Sequence, residues 1–152
     1  MNTTTCWKAL LLAAMLTSAT ACFGGHRIEQ TLAPGLPDLK LVDMVEIRDA
    51  KGQVLVSGKV ATASEESSEI VRRAALTNPA SDDWDGEVEL RSKRNGDGIA
   101  TEDEVVLRVD DLPDDTACIV MFDTLKIADF MTNDDGSAEV HLRRESLERT
   151  YR

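Results

Sequence analysis

Histidine is nearly absent. The 152 residues include two, His26 and His141, far apart in the chain, and no G-x-S-x-G turn. A hydrolase triad needs a base held beside its nucleophile, so that class finds no support. Cysteine is scarce as well, at three. Cys22 and Cys118 do not cluster with histidine as a zinc site requires. Aromatic residues make up 4%. Trp84 and Tyr151 are the main candidates for a saccharide platform, which works with several exposed rings. Neither of the usual glycine-rich phosphate loops is present. Positive charge is in deficit, 17 Lys and Arg against 28 Asp and Glu, for a net charge of −11. Nucleic-acid phosphates and anionic lipid headgroups repel such a chain. The acidity points instead to solubility or to cation binding. No catalytic residue and no cofactor is expected.

What is present begins with a targeting segment. Met1 to Lys8 carries one positive charge, and Ala9 to Leu16 is an apolar run too short to span a bilayer. Small residues follow, with Ala19-Thr20-Ala21 in the A-x-A cleavage pattern. Residues 1–21 read as a bacterial secretory signal peptide. Ala19-Thr20-Ala21-Cys22 resembles the lipobox of bacterial lipoproteins, with Ala19 where leucine is usual. The resemblance implies that Cys22 is lipidated and that its acyl chains hold a soluble domain on a membrane. Phe23 after the cysteine implies delivery to the outer membrane of a double-membraned bacterium. Ordinary cleavage before Cys22 is the alternative. The protein is then secreted or periplasmic, and a Cys22–Cys118 disulfide becomes conceivable. Otherwise Cys118, amid apolar residues, reads as a buried inert thiol.

Residues 22–40 contain Gly24, Gly25, Pro34, Gly35 and Pro37, and read as a flexible linker. Residues 41–144 then alternate apolar and polar residues with a period of two. Val45 and Ile47, Val54 and Val56, Val88 and Leu90, and Val105, Leu107 and Val109 each mark a half-buried strand. Residues 61–69 read as a loop or a ragged edge and residues 77–86 as a polar connection, with Trp84 capping the core. Ile70 to Leu76 reads as a strand. Thr116 to Phe122 reads as a strand buried on both faces. Asp123-Thr124 turns it into a strand that places Leu125, Ile127 and Asp129 on one face. Asn133 to Gly136 is a second hairpin turn, leading to Ala138, Val140 and Leu142. His141 points outward. Residues 145–152 form a charged tail. The expectation is an all-β chain, an antiparallel β-sandwich of about seven or eight strands.

Leu112-Pro113, Thr116, Phe130-Met131-Thr132 and Gly136-Ser137-Ala138-Glu139-Val140, preceded by Val45 to Asp49 and Gly52 to Val54, form a recurring pattern. It resembles that of secreted bacterial domains with an immunoglobulin-like sandwich. The resemblance covers roughly residues 43–143, concerns turns and core positions, and brings no catalytic residue with it.

Two stretches suggest calcium. Asn95, Asp97, Gly98 and Glu104 fit part of an EF-hand loop, but Lys93 stands where its first carboxylate belongs. Asp110, Asp111, Asp114 and Asp115 form a looser oxygen-rich cluster around Leu112-Pro113. Acid pairs such as Asp82 and Asp85 are too common here to indicate acid–base catalysis. The leading reading is a non-enzymatic, membrane-tethered interaction or structural module of the cell envelope. It would meet an envelope protein through a sheet edge. The alternative is a secreted calcium- or carbohydrate-binding module that uses the acidic loops and Trp84.

Overall fold

In a computed structural model, residues 27–33 and 35–145 are described. The signal peptide, Cys22, His26, Tyr151 and the tail beyond Glu145 lie outside them. The chain is all-β. Ten strands run in the order β1 (Arg27–Thr31), β2 (Met44–Asp49), β3 (Val54–Lys59), β4 (Ala61–Glu65), β5 (Glu69–Asn78), β6 (Ser81–Arg94), β7 (Ala100–Asp110), β8 (Ala117–Phe122), β9 (Leu125–Met131) and β10 (Ala138–Glu145). A 3-10 turn at Leu39–Leu41 precedes β2. Among the described residues no helix is long and apolar enough to cross a membrane.

All ten strands join one mixed sheet, ordered β1-β10-β7-β6-β5-β3-β2-β8-β9, with β4 paired to β5. The sheet curls until it is nearly closed around a single apolar core. Three particulars of the expected sandwich change. Among the described residues the strands number ten, they form one sheet, and β1 pairs with β10 in parallel. The turn at 133–136 is tight, with Asn133 Oδ1 accepting from the amides of Asp135 and Ser137. It does not close a hairpin, because β10 pairs with β7 and β1 rather than with β9.

The expected linker is also revised. Arg27–Thr31 is a strand, and Leu32 and Leu39 are buried. Residues from Arg27 onward, ahead of residue 41, therefore take part in the fold. Ala61–Glu65, expected as a loop or a ragged edge, is an edge strand exposed along its whole length. β5 and β6 extend to Asn78 and Ser81, leaving a very short connection. Ile70 to Leu76 is a strand, as expected.

Two β-bulges shift the faces. Ile47 pairs with Val56 but Arg48 with Val54, so Leu55 is the extra residue and is buried beside Val56. Val120 pairs with Ala128 but Met121 with Lys126, so Ile127 is extra and turns inward with Ala128. β8 is buried on one face only. Cys118, Val120 and Phe122 face the core, while Ile119 and Met121 are half-buried.

The pattern quoted from residues 112–140 is a knot of contacts. The Thr132 hydroxyl donates to the Pro113 carbonyl at 2.7 Å and accepts the Thr116 amide at 2.9 Å. Gly136 sits at φ 72° against Leu112, whose amide donates to the Gly136 carbonyl at 3.1 Å. At the opposite end of the sheet, Arg72 is buried. Its Nη1 donates to the carbonyls of Leu39, Lys40 and Val42, satisfying the 3-10 turn.

Candidate functional site: an open edge and an acidic end

β1 and β9 are the two ends of the strand order. A complete barrel would pair them. Instead one side chain joins them: Gln30 Nε2 donates to the Asp129 carbonyl at 2.7 Å. A neighbouring strand would offer a backbone N–H at that point, so the amide takes the place of a missing ladder bond. A groove of about 530 Å³ runs along the seam, and its lining includes Ile28, Gln30, Cys118, Ile119, Asp129 and Met131. Leu125 and Met131 on β9 are exposed, Met131 by 55%. Lys126 and Asp129 pair with each other at 2.7 Å. Gln30 was hidden from sequence reading by the glycines and prolines around it. The signal that could have found it is the alternation of Arg27–Thr31.

The calcium candidates are split up. Asp110 ends β7 directly opposite Asp85 of β6, and Ser137 Oγ donates to its Oδ1 at 3.0 Å. Burial pushes the Asp110 carboxyl up to about 6 against the pull of the Ser137 hydrogen bond, and Asp85, Asp111 and Glu87 add to the rise. Asp85 is raised by burial, then by Asp111 and Glu87. Asp111 and Asp115 both occupy the left-handed region, at φ 55° and 45°. The Asp114 carbonyl accepts the Thr116 hydroxyl. Among the described residues no three His, Cys, Asp or Glu side chains are placed to hold a metal ion. Asp110, Asp111, Asp114 and Asp115 are not brought together as such a group. The partial EF-hand fails too. Asn95 Oδ1 accepts the amides of Asp97 and Ile99 within a turn, and Glu104 pairs with Arg143 at 2.9 Å.

The register gathers acid in a different way. The turns at 49–52, 110–115 and 133–136 and the first residues of β6, 81–85, all lie at the end of the sheet where β1 enters. Together they carry ten aspartates and one lysine.

The other candidates have structural roles. Trp84 packs against the core as a cap. His141 points outward but is enclosed. Its Nε2 meets Glu139, and its Nδ1 lies 3.3 Å from the Arg27 guanidinium. Burial works against ionisation of Glu139, but His141 and Arg108 outweigh it and lower its carboxyl. Cys118 is free and buried, and burial with Asp49 nearby pushes its thiol up to about 11. A thiol held protonated in this way is a poor nucleophile.

No protein-family model, curated protein or solved structure matches this chain.

Proposed function

We propose that this chain is a non-enzymatic, lipid-anchored β-module of the bacterial cell envelope that holds an extended segment of a partner protein along β9. The observation that carries the reading is the Gln30–Asp129 bond, one side-chain amide in place of a ladder. An incoming strand would displace Gln30 and supply backbone groups along Lys126 to Met131. Leu125, Met131 and Ile119 would give it apolar contact. The immunoglobulin-like kinship is part of the same reading and rests on the Leu112-to-Val140 motif.

The anchor sets the orientation. Four residues separate Cys22 from Arg27, so β1 would start within about 18 Å of the lipidated cysteine even when fully extended. The acidic end then faces the membrane, and anionic headgroups repel it. The domain stands off the surface with β9 along its side.

The test places a photo-crosslinking residue at Met131 in cells, with one at Lys51 as control, beside a Cys22→Ser variant. The expected result is a discrete adduct from position 131 and not from position 51. The wild type should carry a diacylglyceryl-sized mass and fractionate with membranes, while Cys22→Ser should not. No adduct at 131, or equal adducts from both positions, ends the edge reading. An unmodified, soluble wild type ends the anchor reading.

A further inference from the structure

Among the described residues the buried polar side chains other than Thr132 lie toward the end away from the acidic turns. There Asp103 of β7 is 2% exposed, and its Oδ2 receives the guanidinium of Arg144, with Nε at 3.2 Å. Its other oxygen, Oδ1, is buried without a hydrogen-bond partner. Directly across the β6–β7 ladder stands Ser92, also 2% exposed, with an unpartnered Oγ. Arg94 lies two residues further along the same face of β6. Its Nη2 donates to Asp38 Oδ1 at 2.6 Å and its Nη1 to the Gly98 carbonyl at 2.9 Å, but its buried Nε–H has no acceptor. Register and alternation thus bring three unsatisfied polar atoms to one interior face.

Buried polar groups without partners are rare, because each has given up its hydrogen bonds to water and gained nothing. The chemistry of the three selects what could satisfy them. Arg94 Nε–H can only donate, Asp103 Oδ1 can only accept, and the Ser92 hydroxyl does both. A cation would face the Arg94 N–H, and an anion would face the Asp103 carboxylate. Both acids are already matched by the guanidinium groups of Arg94 and Arg144. What fits is a small neutral molecule that donates and accepts.

We propose that Ser92, Arg94 and Asp103 bind one internal water molecule. It accepts from Arg94 Nε–H, donates to Asp103 Oδ1 and shares a hydrogen bond with Ser92 Oγ. Three partners is the usual number for a buried water. This water links the β6–β7 ladder to β10 through Arg144 and to the 3-10 turn through Asp38.

The test is oxygen-17 magnetic relaxation dispersion on the full chain as its host exports it. This measurement counts long-lived internal waters. Ser92→Val should lower the count by one relative to wild type, and Ser92→Thr, which keeps the hydroxyl, should leave it unchanged. An equal count in Ser92→Val overturns the proposal. Should the valine variant not fold, a high-resolution density map of the wild type decides. A peak of water weight within hydrogen-bond distance of all three atoms supports the site. A direct Ser92–Asp103 hydrogen bond, no peak, or a heavier peak with ion-like distances overturns it.

Discussion

A Cβ built on Gly136 would lie 1.8 Å from the carbonyl oxygen of Leu112. The two residues already share a backbone hydrogen bond, so neither can move away without breaking the turn into β10. Gly136→Ala adds this clash to a φ of 72°. It is expected to cost about 3 kcal/mol or more, read from the midpoint of urea unfolding. Gly52→Ala is the control. Its φ of 84° is as unfavourable, but nothing lies within 4 Å, and the expected cost is about 1 kcal/mol.

Arg72→Met keeps the buried stem and removes the guanidinium, leaving the carbonyls of Leu39, Lys40 and Val42 without their donor. A loss of about 3 kcal/mol is expected in the same unfolding assay. Arg72→Lys should recover part of it, since a single ammonium cannot reproduce the planar fork.

Asp110 makes stability depend on pH. Its folded-state value, raised to about 6 from 3.8, means that the folded chain keeps the proton after the unfolded chain has lost it. The destabilisation is therefore absent below pH 3.8, grows as pH rises and is complete above about 6. Asp110→Asn, which can still accept from Ser137, should stabilise the protein at pH 7 by about 1 kcal/mol, allowing for solvent screening of a partly exposed group. Thermal unfolding of the pair of proteins at pH 7 and pH 3.5 checks it. An equal difference at both values would refute the assignment.

Cys118 reports on the seam. It is one of the residues lining the groove, and its buried thiol is held protonated. Iodoacetamide at pH 8 should leave it unmodified in the folded protein and label it fully in urea. Gln30→Ala removes the bond to Asp129 and should speed native-state labelling. Equal rates in the variant and wild type would show that Gln30 does not hold the edges together.

The strands with alternating residues between 43 and 60, 87 and 92, 104 and 110, and 138 and 143 were legible because one face of each is buried. Strict alternation sets Leu55 apart from Val56 and Ile127 apart from Ala128, yet each pair is buried together, because a bulge inserts one residue and nothing in the local pattern marks it. β4 was missed because all five of its residues are exposed, which leaves no apolar period to see. β1 was missed because Gly24, Gly25 and Pro34 dominate its surroundings. The acidic residues between 110 and 115 were visible as a cluster, but their geometry was not. Asp110 faces Asp85 only through the β6–β7 register, and the backbone reverses at Asp111 and Asp115. The β1–β9 seam depends on pairing between the two ends of the domain, which local periodicity does not encode.

The parallel β1–β10 pair joins the first of the described strands to the last. Until Ala138 to Glu145 has been made, Arg27 to Thr31 has no ladder to enter, and closing that contact spans a loop as long as the domain itself. The order of synthesis and the order of assembly are therefore opposed at this one place. A chain stalled before Ala138 would have two orphans, an unpaired first strand and a bare β7 edge. Such a species is open to proteolysis and to aggregation through the β7 edge, which β10 covers in the finished domain.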